Sequence, residues 1–309
     1  MMTPGRIVAS PPIEGGAVST ESIEKNRIVI GKVSSDPARA FPKLEAMANY
    51  LAARLGSVGI TMGGVIVAKD NPEMISHLKA GRVDLVSETV FSSLLLSEQT
   101  GAEVLAREWK KSVPVYHSMI FALQESEIKS VSDLIGKNIA FEDRGSTTSF
   151  MLPLAIIRQQ NLETVEVSKA RAKPPRGKVG YIFAHAERNV FAWVVRGIAQ
   201  AGAVSDTDWN DLDRAPEALK PRLRIVHRSR PIPRSLLLAR QNLSSDVKSR
   251  VKEILFEIHN DPEAADVRRS YYKVARFDAI EGEVRKLLNE ARDAYKLSNC
   301  PGASTLTAS

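Results

Sequence analysis

Hydrophobic positions in the first ninety residues alternate between the spacing of strands and the spacing of helices. Asp36 and Pro37 open the first helical stretch as cap and first-turn residue, and Gly56 is a residue type that ends one. The apolar runs on either side are short and continuous, which is typical of buried strands. The predicted elements are strand Arg27–Val33, helix 37–55, strand 60–68, helix 71–80 and strand 83–86. This order predicts a parallel sheet with crossover helices.

The rest of the chain alternates strands and helices less regularly. Two extended stretches, 113–124 and 229–238, are long enough to cross between two parts of the molecule and back. Further strands are predicted at 102–108, 138–141, 179–183, 223–226 and 235–239. Further helices are predicted at 145–160, 187–201, 244–258, 262–274 and 281–297.

These patterns predict an α/β protein of two lobes, each with a central, mostly parallel sheet flanked by helices, joined by two hinge crossings. The predicted boundaries are a flexible leader 1–26, a first lobe 27–115 with 236–297, a second lobe 116–235 and a flexible tail 298–309. A cleft between lobes is a preferred place for a small ligand.

Composition narrows the classes of function. The 309 residues include 43 lysines and arginines against 36 aspartates and glutamates, a net charge of +7 that favours anionic ligands. The one cysteine, Cys300, makes neither an internal disulfide nor a cysteine-rich zinc site. The longest stretch without a charged residue, 55–68, is shorter than the ~20 residues of a membrane-spanning helix.

Residues 1–26 do not resemble a signal peptide, so the chain is cytoplasmic if complete, or periplasmic or lipid-anchored if a leader was removed.

Four consecutive hydroxyl residues form the most informative segment for function. They follow a predicted strand and a glycine and open a helix, and they are Ser146, Thr147, Thr148 and Ser149. The first N–H groups of a helix lack internal partners and the helix dipole is positive there, so such an end binds oxyanions. Ordinary capping needs a single hydroxyl. Capping alone and anion binding both account for the pattern, and four hydroxyls exceed what capping requires.

Three other positions are candidate binding residues. Tyr116 lies on the first crossing, where its phenol either donates to a ligand or packs in the sheet. His185 precedes a helix and either donates to an anion or caps the turn. Asp206, with Asp208 beside it, either caps a short helix or accepts from an amino group of a ligand.

Several classes of function are excluded by what the sequence lacks. There is no phosphate-binding loop of the nucleotide-binding type, no Gly-x-Ser-x-Gly and no cysteine pair of a zinc deaminase. The basic run 169–178 contains two prolines and is interpreted as a solvated loop, which argues against nucleic acid as a partner. The sequence therefore predicts no cofactor, no metal and no catalytic activity.

An ordered set of segments resembles a known family. These are 81–86, Tyr116-x-Ser118, 130–137, 143–153, His185 before a helix, 201–203 and Ile232-Pro233. The most specific is 143–153, where the family pattern is Asp-Pro-x-Ser-Thr-Ser-Gly followed shortly by proline. From about residue 27 to residue 280 the chain resembles the phosphonate/phosphite/phosphate-binding family of ABC-transporter substrate-binding proteins.

The resemblance implies the two-lobed periplasmic-binding-protein fold of type 2, with a hinged cleft that holds a small phosphorus oxyanion for a membrane permease. The protein is then expected to be a monomer. In the family, hydroxyls and N–H groups hold the phosphonate oxygens, which here implies Ser146, Thr147 and Thr148, with Ser149 at the small-residue position. Tyr116 and His185 would reach the same anion.

Departures from the family pattern change the expected ligand. Asn71 stands where an aromatic residue is frequent, Arg144 replaces proline, and Gln200 replaces an aspartate, which leaves Asp206 or Asp208 as the position of an amine contact. These changes favour a small or highly charged oxyanion. Two alternatives stay open: a cytosolic or sensor-linked module for another anion, and an enzyme on the same scaffold, such as a decarboxylase or a pyrimidine-precursor synthase.

Overall fold

The computed structural model describes residues 26–34, 36–169 and 171–298. The predicted leader and tail therefore lie outside the described residues, apart from Asn26 and Ser298. Cys300 lies outside them as well.

The first sheet contains strands from both ends of the described chain, and we call the part of the molecule built on it lobe 1. The strands are β1 Arg27–Val33, β2 Met62–Ala68, β3 Leu85–Glu88, β4 Glu103–Lys110, β13 Ser235–Ala239 and β14 Val274–Asp278. Their spatial order is β14-β4-β13-β3-β1-β2.

The second sheet is formed by the middle of the chain, and we call the part built on it lobe 2. The strands are β6 Ser118–Leu123, β7 Asn138–Phe141, β8 Thr164–Glu166, β9 Val179–Phe183, β10 Ala201–Ser205 and β11 Leu223–Arg228. Their spatial order is β11-β6-β10-β7-β9-β8.

Both sheets are mixed, where the sequence patterns predicted mostly parallel ones. Strands linked by crossover helices pair in parallel, as β1 does with β2 and β3. Strands next to the crossings pair antiparallel, as β13 does with β3 and β4. The chain enters and leaves each lobe along these strands, so their direction is set by the crossings. The two-lobed α/β architecture with two crossings is confirmed.

The two crossings pair with each other. Strands β5 (Val115–Tyr116) and β12 (Ile232–Pro233) form a two-stranded sheet between the larger ones. Their register places Ile232 opposite Tyr116. Tyr116 is therefore held at the hinge, next to both lobes.

The helices flank the two sheets. They are α1 Pro37–Ala52, α2 Asn71–Lys79, α3 Val90–Thr100, α4 Leu152–Gln159, α5 Glu187–Val195, α6 Asp206–Trp209, α7 Ser245–Glu257, α8 Ala265–Ser270 and α9 Gly282–Ser298. Asp36 caps α1 as predicted, since its carboxylate accepts from the Arg39 N–H at 3.1 Å. Gly63 allows α1 to approach β2 closely, because a Cβ there would lie 2.6 Å from the Ala48 carbonyl carbon.

The C-terminal region differs from its predicted helix 262–274. A turn at Pro262–Ala264 leads into the short α8, and the chain then forms edge strand β14. Tyr272 and Lys273 adopt left-handed backbone angles, φ 51° and 53°, which end the helix and redirect the chain. Helix α3 was not predicted, because its apolar residues are buried on all sides and show no helical stripe.

One apolar core runs through both lobes. Helix α9 packs against α3 of lobe 1 and α4 of lobe 2, and Leu288 lies in the shared core. Tyr295 meets Phe91 edge to face at 5.7 Å. Among the described residues no helix has the length and apolarity to cross a bilayer.

Candidate ligand-binding site

A cavity of about 1470 Å³ lies between the two lobes. Strand ends and helix starts from both lobes line it, together with Tyr116 of the hinge. Ligand pockets typically measure ~300–1,000 Å³, so this cavity has room for more than a single oxyanion.

The hydroxyl segment lies at the lobe 2 wall of this cavity. Ser146 caps the helix by accepting from the Ser149 N–H at 3.2 Å. Thr147 and Thr148 then begin a π-helical turn that runs directly into α4, and their exposed fractions are 1% and 4%. Ser146, Thr147 and Thr148 line the cavity, whereas Ser149 is buried away from it.

Local hydrogen bonds fix the turn before this helix. The carboxylate of Asp143 accepts from the Gly145 N–H at 2.7 Å, and the Glu142 N–H donates to the Ser149 carbonyl at 3.2 Å. The end of β7 and the start of the helix are therefore held together. The first N–H groups of a helix have no partner within the helix, so a helix start at the cavity wall can donate to a ligand.

A second helix begins opposite, in lobe 1. Helix α3 starts after Thr89, and its Phe91 N–H donates to the Thr147 hydroxyl at 3.1 Å. The Thr147 hydroxyl also donates to Thr89 at 3.0 Å, and Ser92 donates to the Gly145 carbonyl at 3.2 Å. Two helix starts thus meet across the cleft, and both contribute positive partial charge. Sequence analysis missed Thr89 and Ser92, although the polar run after buried strand β3 marks a strand end.

Tyr116 points into the same site. Its exposed fraction is 6%, and its buried hydroxyl oxygen has no hydrogen-bond partner in the described residues. Burial raises the pKa of Tyr116. The charge of Arg234 and the nearby hydroxyls of Thr147 and Thr148 lower this pKa by less than burial raises it. A buried, unpartnered hydroxyl is costly, so a ligand oxygen that accepts from it is favoured. We call Ser146, Thr147, Thr148 and Tyr116 the candidate anion cradle.

His185 and Asn71 also line the cavity. His185 has a left-handed backbone, φ 61°, fixed by its N–H donating to the Glu142 carbonyl at 2.8 Å. The buried amide of Asn71 donates to Ser92 at 3.3 Å, and its oxygen is without a partner in the described residues. The structure therefore brings both residues to the cleft that holds the cradle.

Arg144 lines the cavity beside the cradle, whereas Asp206 does not. The Arg144 guanidinium donates to both oxygens of the Glu166 carboxylate at 2.6 Å, so its charge is compensated. Asp206 does not line the cavity; it accepts from the His117 N–H at 3.1 Å and pairs with Arg228 at 3.3 Å. Asp208, two residues on, lines the cavity instead.

Carboxyl groups lie close to the cradle on the lobe 2 wall. Arg214 pairs with Asp208 and, at 3.1 Å, with Glu187. Burial raises the pKa of Glu142 well above its ordinary value, and the charges of Glu187 and Asp143 raise it further. Among the described residues, no group of three or more His, Cys, Asp or Glu side chains could hold a metal ion.

Paired hinge strands join the two lobes, and helix starts face each other across the cleft. This arrangement is that of a two-lobed solute-binding protein. A family model described as ABC transporter, phosphonate, periplasmic substrate-binding protein matches residues 33–284. The chain belongs to this family, which confirms the resemblance found in the sequence. Membership implies a small ligand and a membrane permease as partners, and the family is that of a transporter component rather than an enzyme.

Solved structures show the same fold. XAC2383 from Xanthomonas citri, solved bound to chloride ion and bound to ATP, is 29% and 28% identical over 88% of this chain and 98% of its own, with TM-scores of 0.85 and 0.84. PhnD1 from Prochlorococcus marinus, in complex with methylphosphonate, is 16% identical over 88% and 99%, with a TM-score of 0.63. The periplasmic aliphatic sulphonate binding protein SsuA from Escherichia coli is 16% identical over 89% and 94%, with a TM-score of 0.56. The likeness to the last two is one of fold alone.

Proposed function

We propose that the protein captures a small phosphorus oxyanion, a phosphonate, phosphite or phosphate group, in the interlobe cleft and delivers it to the permease of an ABC importer. The proposed location of the protein is the periplasm, which is where proteins of this family act. The observation that carries the proposal is the buried Tyr116 hydroxyl, which has no hydrogen-bond partner among the described residues and lies beside the hydroxyl-rich helix start at Thr147 and Thr148.

The cradle suits a tetrahedral oxyanion for a physical reason. Helix N–H groups and hydroxyls supply donors without a net charge, and a helix start supplies positive potential. Hydrogen bonds to a charged group are worth about 1.5–3 kcal/mol each once water is excluded. Closure of the lobes over the anion would exclude that water, and a ligand that binds the closed arrangement more tightly drives it.

The size of the cavity leaves the rest of the ligand open. A relative at 29% identity has been solved with chloride and with ATP, so a nucleotide belongs among the ligands to be tested. The cradle would then hold a terminal phosphate in place of a free anion.

Calorimetric titration of the purified protein tests the proposal. The panel is methylphosphonate, phosphite, phosphate, 2-aminoethylphosphonate, sulfate and ATP. We expect at least one phosphorus oxyanion to bind, and Tyr116→Phe to weaken it about 10-fold or more through the lost hydrogen bond. Tyr50→Phe is the matched control, since the Tyr50 hydroxyl bonds Asp261 at 2.8 Å outside the cavity. A panel without binding, or equal effects of both variants, would overturn the proposal.

A further inference from the structure

A second group of charges lines the same cavity from lobe 1. The ammonium nitrogens of Lys32, Lys43 and Lys110 lie 5.6, 5.0 and 4.7 Å from the centre of the Tyr272 ring. Lys32, Lys43 and Tyr272 line the cavity that also contains the cradle. We call these four residues the lysine cluster. None of them was singled out by the sequence, because β1, α1, β4 and the turn before β14 meet only in the fold.

The lysines differ in their partners. Lys32 pairs with Glu88 at 3.2 Å, and Lys110 pairs with Glu108 at 3.0 Å. Lys43 forms no ion pair with any carboxylate in the described part of the chain. The cluster therefore carries one positive charge that is not compensated by an ion pair among the described residues.

Arg39 adds a second uncompensated charge one helical turn before Lys43. It lines the cavity and has no ion pair among the described carboxylates. The nearby Asp36 uses its carboxylate to cap α1 through the Arg39 N–H. Burial lowers the pKa of Lys43, and the charge of Arg39 lowers it further while Asp36 opposes. Arg39 and Lys43 therefore lie close enough to repel each other.

The ring at the centre of the cluster is held in a costly backbone conformation. Tyr272 has φ 51°, and Lys273 after it has φ 53°, both in the left-handed region. Neither residue is glycine, and such conformations persist only where the surrounding structure determines them. From this turn the Tyr272 ring lies next to Lys32, Lys43 and Lys110.

We infer that the lysine cluster with Arg39 is a second anion subsite, so that the ligand carries two anionic groups separated by a spacer. One group, a phosphonate or phosphate, lies in the cradle of lobe 2, and the other, a carboxylate or phosphate, lies against Lys43 in lobe 1. The inference rests on the proposed function of the cradle. A ligand of this class contacts both lobes at once and so has higher affinity for their closed arrangement.

Pairs of ligands of equal length isolate the second charge. ω-Phosphonocarboxylates with two to five carbons are titrated beside the alkylphosphonates of the same chain length, at constant ionic strength. At one spacer length we expect the phosphonocarboxylate to bind about 10-fold more tightly than the alkylphosphonate, which lacks the second charge.

Two variants assign that preference to the cluster. Lys43→Met should reduce the preference by at least about 5-fold and leave the alkylphosphonate affinity within about 2-fold, because the cradle is intact. Lys252→Met is the matched control, a half-buried lysine of α7 that lies outside the cavity. It should change neither affinity.

The outcomes separate the two proposals. Binding of alkylphosphonates with no preference at any spacer length overturns the second subsite and leaves the cradle standing. A preference that survives in Lys43→Met places the second charge elsewhere and also overturns it. Failure of every ligand to bind overturns the proposed function itself.

Discussion

The two walls of the cleft hold their charges in different ways. In lobe 1 the Glu108 carboxylate is fully buried and accepts from Tyr271 at 2.7 Å, Ser235 at 2.6 Å and Lys110 at 3.0 Å. In lobe 2 the corresponding network is centred on Arg214, which is partly exposed. Lobe 1 therefore builds its wall on a buried ionic network, whereas lobe 2 places its network at the rim.

The charges of the two walls also differ in sign. Lobe 1 presents Arg39 and Lys43, which form no ion pair among the described residues, while lobe 2 presents the carboxyl of Glu142 beside the cradle. Asp208 on the same wall is paired with Arg214. In the proposed binding mode, lobe 1 attracts the anion through its charge, which acts over about a Debye length and weakens with salt. Lobe 2 would bind it through N–H and hydroxyl donors, which act only at contact. The following experiments test this difference between the two walls, in order from the largest expected effect to the smallest.

Removal of the buried carboxylate in lobe 1 should have the largest effect. Glu108→Ala leaves the Lys110 ammonium buried without its counter-ion, and we expect a loss of about 3–5 kcal/mol in the free energy of unfolding. Urea unfolding measures it. Glu103→Ala removes an exposed partner of Lys248, at 2.7 Å, and should cost about 1 kcal/mol or less. Equal losses would show that the network does not depend on burial.

Removal of a single hydroxyl from the cradle comes next. Thr148→Val keeps the shape of the side chain and should weaken phosphonate binding by about 1.5–3 kcal/mol if the hydroxyl donates to the anion. The neighbouring Ser149 is equally buried but faces away from the cavity, so Ser149→Ala is the matched control. Titration calorimetry measures the phosphonate affinity of both variants. Similar affinities would show that the Thr148 hydroxyl is not part of the cradle.

The sequence predicts those residues of the cleft whose positions depend on local patterns. The strand end, the glycine and the hydroxyl run at Ser146 lie within one short segment, so the helix start could be located without a structure. Tyr116 could be placed at the crossing because extended segments of that length stand out. Asp206 and Asp208 could not be separated, since which of two residues faces the cavity depends on how Ser205 caps α6.

The part that the sequence does not predict arises from long-range packing. Thr89 reaches the cradle only because α3 begins opposite α4, and Lys43 meets Tyr272 across more than two hundred residues of chain. Strand β14 was not predicted, because it is a short edge strand whose pairing with β4 is irregular. No local sequence pattern indicates contacts between residues so far apart in the chain.

A pH scan tests how deeply the lobe 1 network is buried. Burial lowers the pKa of Lys110 to about 8, below its ordinary 10.5, although Glu108 raises it. The unfolded chain keeps this proton to higher pH, so it binds more protons above pH 8 and stability rises with pH there. We expect a gain of about 1–2 kcal/mol between about pH 7.5 and 9.5. Chemical unfolding measures it, and the gain should vanish in Lys110→Met while Lys252→Met retains it.

The smallest effect concerns the carboxyl beside the cradle in lobe 2. The pKa of Glu142 is raised by burial and by Glu187, so the group is neutral at low pH and becomes a negative neighbour of the anion as the pH rises. Methylphosphonate affinity should therefore fall with pH more steeply in the native protein than in Glu142→Gln, by about 1 kcal/mol in all. The ratio of the two affinities at each pH cancels the titration of the ligand itself. A constant ratio would mean that Glu142 does not face the bound anion, and that hydrogen-bond donors alone set the affinity of this wall.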